Sequence, residues 1–394
     1  MKVLIAGGTG NVGSALTANL TSEKDVSRVI VIGRSQEKRK AMAKLLDHPK
    51  VSFFPMDVRQ KRDLLHRLSG VDILVNAISH EQNLYLMEAA LEGKTHYIDL
   101  GGMFHITRKQ LQLHGDFSGA GLTAVLCMGA CPGLSNVFAY HAAKKMDEVR
   151  EIHIYVGSRR GAEFEGFNMS PRTLLDEFTK SPVVYENGEY RELAPLAGLH
   201  RRHLPEPIGE VEGFFAIHSE VLTLPDSIPG VRNVTYWVAF PPAIMTMMKT
   251  LISLGLLSQE PVRIKGVDIT PREFLYEALG LIRTVSEPLE ESKALQVEIN
   301  GLKKGNPKGV RYDLTVASKR DIHQNASAYW TAIPAAVGVM MIGRGQIEKK
   351  GVFPPERAVS SEDFLNEVRA RGLIFAETCS EGQKPGMSLV PKNG

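Results

Sequence analysis

The sequence predicts an α/β protein: a doubly wound parallel sheet, followed by a second α/β domain with a mixed sheet. Three observations predict it. Apolar strand-like runs alternate with helical repeats over the first 130 residues. A glycine-rich turn, GGTGNVG (Gly7 to Gly13), joins the first run to the first helix. After about Glu148 the alternation gives way to strands of hairpin character. Continuous apolar strands between helices belong to a parallel sheet covered on both faces.

The elements follow in order. KVLIAG is a buried strand and NVGSALTANLTS has helical spacing. VSRVIVIG, VSFFPMDV, VDILVNAI and THYIDLG are the next four strands, separated by the helical stretches SQEKRKAMAKLLD, KRDLLHRLSG and NLYLMEAALEGK. A helix over roughly Ile106 to Ala120 leads to a sixth strand, TAVLCM. Beyond it, EIHIYVGSR, PVVYENGEYREL, GEVEGFFAIHS and VRNVTYWVAF read as strands of a mixed or antiparallel sheet. Asn187-Gly188 between apolar flanks is a hairpin turn signal. SPRTLLDEFTKS is a helix with Ser170 as cap and Pro171 at its first position, and MTMMKTLISLGLLS is another. PVRIKGVDITPREF reads as a linker, LKKGNPKGV as a surface turn, and everything after HQNASAYWTAIPAAVG as helical.

A chain of 394 residues exceeds one ordinary core, so two domains are expected. A net charge of +3 gives no composition argument for nucleic acid or an anionic membrane. The three cysteines (Cys127, Cys131, Cys379) form neither a disulfide framework nor a C-x-x-C metal spacing, so the expectations are a reducing cytoplasm and no metal. KVLIAGG is too short for a signal peptide. Thr331 to Gly343, interrupted by Pro334, is too short to span a bilayer and reads as a packed helix.

GGTGNVG contains Gly8-x-Gly10-x-x-Gly13, the dinucleotide fingerprint, between a strand and a helix. Its glycines let backbone approach a pyrophosphate, and the helix N-terminus supplies free N–H groups and positive potential. The second strand ends in Gly33-Arg34-Ser35, where an NAD site places an acid. Arginine pairs with a 2′-phosphate, so NADP is the expected cofactor and NAD the alternative. Asp57, after strand three, either holds the adenine amino group or caps its loop. Thr9, Asn11 and Val12 within the glycine turn, Val58, Ala77, Ile78 and Pro132 complete the expected cofactor contacts.

A second turn of this kind is GACPGLSN (Gly129 to Asn136), at the end of the sixth strand. Ligands of doubly wound sheets bind outside the carboxyl ends of the strands. Pro132 suits a helix start, Gly133 allows close approach, and Ser135 and Asn136 put short polar groups in the first helical turn. Four matches carry a family resemblance: GGTGNVG; HYIDLGG followed by GACPGLSNVFA; NMSPRTLLDEFTKSPVVYENGEY; and IHSEVLTLP with the late GVFPPE. Together they resemble the saccharopine dehydrogenase family, nearest the saccharopine reductase and lysine 6-dehydrogenase branch. Cys131 stands where saccharopine reductases have an acid, and Met169 where lysine 6-dehydrogenases have an aromatic residue. The resemblance implies a Rossmann-type domain over 1–130, completed by C-terminal helices over about 325–394. It implies an inserted substrate and dimerisation domain over 131–324, and a homodimer.

It also implies hydride transfer between a nicotinamide and a carbon bonded to nitrogen, on an amino acid such as lysine or saccharopine. A carboxynorspermidine-type polyamine reductase is one alternative, and a non-catalytic NADP-binding redox sensor another. The chemistry needs a proton acceptor or donor for nitrogen, with charges to hold an amino-acid-like substrate. Asp99, at the end of strand five, either steers an ammonium or caps its turn. His218 and Glu220 share a face if their strand persists, and a carboxylate beside an imidazole suits acid–base work near neutrality. Cys131, Asn136 and Arg172 are the expected substrate contacts. Tyr140-x-x-x-Lys144 matches the short-chain dehydrogenase pair, but such four-residue spacing on a helix is common by chance.

Overall fold

The computed structural model describes residues 1–160, 171–280 and 290–381. The first lobe alternates β1 (Lys2–Ala6), α1 (Asn11–Thr21), β2 (Arg28–Gly33), α2 (Gln36–Leu45), β3 (Val51–Pro55), α3 (Lys61–Leu68), β4 (Ile73–Asn76), α4 (Asn83–Glu92), β5 (His96–Asp99), α5 (Phe104–Leu111), α6 (His114–Gly119) and β6 (Thr123–Val125). The second lobe runs through α7 (Leu134–Ala143), β7 (Glu148–Arg160), α8 (Pro171–Thr179), β8 (Val183–Glu186), β9 (Glu189–Glu192), β10 (His200–Leu204), β11 (Gly209–Phe215), α9 (Glu220–Ser227) and β12 (Asn233–Ala239). It continues with α10 (Pro242–Ser253), β13 (Val262–Ile264), β14 (Val267–Ile269), α11 (Pro271–Gly280), β15 (Glu291–Lys303) and β16 (Asn306–Ala317). The tail is α12 (Ala326–Gly343), β17 (Gly351–Phe353), α13 (Pro355–Ala358), α14 (Ser361–Ala370) and β18 (Phe375–Glu381).

The first sheet has the order β17-β6-β5-β4-β1-β2-β3, with every pairing parallel. Its strands are apolar at nearly every position because helices cover both faces: Val3 to Ala6 and Ile73 to Val75 are fully buried. The chain winds outward from β1 to β3, then crosses over to β4. The crevice between the ends of β1 and β4 is the topological switch point where such sheets bind ligands. The second sheet runs β10-β11-β12-β7-β15-β16-β18, with β8 and β9 attached to β12. It is mixed because β12 and β7 are parallel while its other pairs are antiparallel. The Asn187-Gly188 turn joins β8 to β9, with both residues at positive φ.

Several expectations change. The helix over Ile106–Ala120 is two helices, because His114 Nδ1 is held by the backbone of Val352 at 3.2 Å and starts α6 against β17. The linker reading of residues 261–274 is wrong: β13 and β14 form a hairpin through Lys265 and Gly266, both at positive φ, which leads into α11. The tail is not all helical. Its β17 extends the first sheet beside β6, and β18 adds a strand to the second sheet beside β16. Ser170, the expected cap of α8, lies outside the described residues, as do residues 382–394. The helix α12 is long and apolar enough to cross a bilayer, yet 78% of it is buried. It packs on α1 and β5 on one side and β15 on the other, at the heart of the core.

Candidate active site

The turn after β1 is a cradle that only glycine allows. A Cβ on Gly13 would sit 2.3 Å from the Gly7 carbonyl, and one on Gly8 would sit 2.7 Å from Val31. Gly7 has φ +81, and a Cβ there would strike Ile78 and the Ala77 carbonyl at 2.4 and 2.7 Å. The loop at Ala77 and Ile78 therefore closes directly over the glycine turn, at the switch point. Gly10 caps α1 with no side-chain bond, leaving first-turn N–H groups for a pyrophosphate. Thr9 touches Gly33, and Asn11 and Val12 begin α1. Arg34 is exposed and has no hydrogen bond or ion pair among the described residues. Ser35 is spent capping α2, accepting from the Lys38 N–H at 3.2 Å. Of the two roles expected for Asp57, the geometry is that of the loop cap: its carboxylate is gripped by Arg59 at 2.5 Å. Arg59, with a smaller pull from Arg34, holds its carboxyl down at about 2, so it secures its own loop. Val58 beside it is buried. The residues present fit a dinucleotide with a 2′-phosphate.

Asp99 is buried, and both its oxygens are occupied. Oδ1 accepts from the N–H groups of Cys127 (2.6 Å) and Gly101 (3.1 Å), and Oδ2 from Gln110 Nε2 (2.6 Å). Burial raises its carboxyl despite those bonds. Cys127 has φ +59, a left-handed conformation that a residue with a side chain resists. Asp99 is thus a staple for the strained turn after β6, and it does not reach out as a substrate group. The turn itself folds tightly: the Cys131–Pro132 peptide is cis, and Gly133 (φ +131) lies so close to Gly129 that a Cβ would meet its carbonyl at 2.0 Å. Pro132 is buried against Gly101.

That turn aims α7 at the second lobe, where the titratable groups gather. Ser135 Oγ donates to Glu220 Oε1 at 2.8 Å, and His218 Nδ1 to Glu220 Oε2 at 2.6 Å. The strand carrying His218 ends at Phe215, so the pair meets in a way the alternation of a strand did not foresee. His218 lies in the loop and Glu220 opens α9. The imidazole stacks flat on Tyr236 of β12, with ring centres 3.6 Å apart. Its Nε2 faces Glu177 Oε1 at 3.9 Å. Burial pushes the His218 imidazole down, but Glu220 and then Glu177 outweigh it and the net direction is up. Glu177 on α8 is the opposite case: burial lifts its carboxyl to about 7, against the pull of His218. Its Oε2 is buried with no hydrogen-bond partner among the described residues. Burial, then the Glu220 charge, pushes the Cys131 thiol well up, so it lines the site as a neutral group.

Behind the cluster, Asp176 is clamped by Arg272 and faces His80 at 3.7 Å. Two expected substrate contacts are committed elsewhere. Asn136 is a cap: Oδ1 accepts from the Gly133 N–H at 3.0 Å, and Nδ2 donates to Thr223 at 3.0 Å. Arg172 ties the lobes together through Glu81 (3.3 Å) and Glu273 (3.0 Å) while lying over Tyr276. Tyr140 and Lys144 are on the far part of α7, where Lys144 bonds Ser361 and leaves the cluster alone. Glu177, Ser135 and Tyr236 are the partners that sequence reading passed over as site residues. Glu177 lies in LLDEF, on a helix recognised from its apolar spacing, and an acid among buried neighbours was the available signal.

Comparison with known proteins agrees with this layout. Residues 3–125 match the model described as saccharopine dehydrogenase NADP binding domain, and residues 129–373 the saccharopine dehydrogenase C-terminal domain. A carboxyaminopropylagmatine dehydrogenase from Synechocystis is 28% identical, over 95% of this chain and 97% of its own. A carboxynorspermidine synthase from Vibrio cholerae is 26% identical, over 81% of this chain and 80% of its own. Among solved structures, saccharopine dehydrogenase (L-Glu forming) from Saccharomyces cerevisiae superposes with a TM-score of 0.75 at 16% identity, covering 96% of this chain and 99% of that one. At that identity the likeness shows the fold.

Proposed function

The chain belongs to the saccharopine dehydrogenase family of NADP-binding oxidoreductases, and on that premise we propose that it interconverts an imine and a secondary amine in a carboxylated polyamine. When bound, NADPH would supply the hydride for the imine carbon, and the chain's own residues would supply the proton that nitrogen takes up as the amine forms. The observation that carries this reading is the buried acidic cluster: Glu220, held by Ser135 and His218, with Glu177 facing the same imidazole. Carboxylates at such a point attract a substrate rich in ammonium groups. Glu177, with one oxygen unpartnered and its carboxyl raised to about 7, is the group suited to hold the proton for nitrogen. His218 and Glu220 fix the field around it.

Two relatives similar over most of their length are named for carboxylated polyamine amines, which supports this reading over lysine or saccharopine. Saccharopine, with several carboxylates of its own, meets a more repulsive site. A redox sensor would have an apolar second site, and three buried titratable groups argue against that. Three unpaired cysteines suit a reducing cytoplasm, and a homodimer belongs to the same proposal.

The test is reduced-nicotinamide absorbance with NADP and carboxynorspermidine, saccharopine or lysine in turn. Turnover of carboxynorspermidine at a kcat/KM at least tenfold above the others is expected. Preference for saccharopine or lysine returns the amino-acid reading, and inertness toward all three, with NADPH bound, sinks both.

A further inference from the structure

The acidic cluster accounts for the nitrogen end of a substrate. A carboxylated amine also needs a cation, and the arginines near the cleft already have acids. Arg272 is bound to Asp176, Arg172 to Glu81 and Glu273, and Arg160 faces Glu291 at 3.5 Å. Lys293 on β15 differs. It is half-buried, and among the described residues its ammonium makes no hydrogen bond or ion pair. Its recorded contact is the face of Trp330, with Nζ 5.0 Å from the ring centre.

Register places Lys293 on the cleft side. Tyr236, Ile154 and Val297 form one row across β12, β7 and β15, and Val238, Val156 and Leu295 form the next. Lys293 pairs with Ser158 in the row beyond. Alternate strand residues share a face, so Lys293 leaves the sheet on the side of Tyr236, where His218 stacks. Four residues at about 3.3 Å each set its Cα about 13 Å along the strands from that stack, a gap spanned by the lysine side chain together with a substrate of a few carbons. Trp330 beneath the ammonium is on α12, and the next residue, Thr331, backs Gly129 of the turn at the end of β6. The ammonium thus stands beside the wall that carries Cys131 and Ser135. Its charge is felt there: against the burial that raises them, it pulls down both the Cys131 thiol and the Glu177 carboxyl.

We propose that Lys293 is the carboxylate anchor of the cleft, gripping an α-amino-acid carboxylate while the substrate amine lies at Glu177 and His218. This rests on the reading of the cleft as an amine site, and it names the element that selects carboxylated from plain polyamines. An unpaired, half-buried ammonium gains a charge-assisted bond from a carboxylate and nothing from its absence.

The test uses a matched pair, 2,4-diaminobutyrate and 1,3-diaminopropane, which differ by one carboxylate. Calorimetric binding to the NADP-saturated full chain is measured for the native protein, Lys293→Met and Lys293→Arg. The native protein should favour diaminobutyrate by about 10- to 100-fold, the range of a hydrogen bond to a charged group. Lys293→Met should erase that preference while leaving diaminopropane within about threefold, and Lys293→Arg should keep most of it. A preference that survives in Lys293→Met, or none in the native protein, overturns the assignment. The readout is independent of turnover, so failure of the redox assay and failure of Lys293 are separate results.

Discussion

Glu177 concentrates the chemistry at the scale of single residues. A carboxyl lifted to about 7 by burial is protonated below neutrality and ionised above it. If it holds the proton for nitrogen, kcat/KM for imine reduction falls as pH rises through about 7. Glu177→Gln should remove that limb and lower the rate by about 100-fold, within the span of general acid catalysis; a pH–rate profile of both proteins decides. Arg34 is a second case, exposed and without a partner among the described residues, just after β2. Arg34→Ala should raise the KM for NADPH by about 10- to 100-fold and leave that for NADH nearly unchanged, the magnitude of a lost charge-assisted bond. Initial rates with the two nucleotides read this directly. Arg34 is singled out by its place in the chain alone; for Asp57 and Asp99 the sequence left ligand contact and capping both open, and Asn136 was expected at the substrate. Each has the right atoms for a ligand, but Arg59, the Gly133 N–H and the Cys127 N–H claim them first.

At the scale of elements, both binding turns are strand-to-helix junctions whose glycines leave no room for a side chain. Gly13→Ala puts a methyl group 2.3 Å from the Gly7 carbonyl, and α1 must back away. The expected result is a loss of NADPH affinity of at least tenfold, measured by fluorescence titration, with the circular dichroism of the fold retained. The element boundaries read least well are those that partners decide. One helix became α5 and α6 because His114 is bonded to β17, far along the chain. The strand expected to reach Ser219 stops at Phe215, because Ser219 turns inward to the Cys127 thiol at 3.3 Å and Glu220 must open α9 to meet Ser135.

For the whole molecule, the tail is what joins the two sheets. It places α12 between them, adds β17 to one and β18 to the other, and sets Glu356 of α13 against α7 and α9. Burial raises the Glu356 carboxyl to about 7; Oε1 accepts from Ser227 at 3.0 Å, and Oε2 has no partner among the described residues. In the unfolded chain this group releases its proton near its ordinary value of 4.5, so between about 4.5 and 7 the native state holds the extra proton. Stability attributable to Glu356 therefore declines as pH rises through that window. Glu356→Gln should gain on the native protein by roughly 1–3 kcal/mol between pH 5 and 8, read from urea midpoints at each pH. A difference that stays flat with pH would show that the carboxyl ionises freely.

The sequence by itself determined what local pattern controls: the alternation of buried strands and helices, the glycine turn, the hairpin at Asn187-Gly188, and an arginine in place of an acid after β2. These follow from periodicity and backbone sterics, which act over a few residues. Tertiary structure decided which polar side chains remain available. Asp99 was spent on a strained turn, while Ser135, Glu177 and Tyr236, far apart in sequence, were brought around the His218–Glu220 pair. A buried charge has its properties set by whatever surrounds it, and those neighbours come from distant parts of the chain.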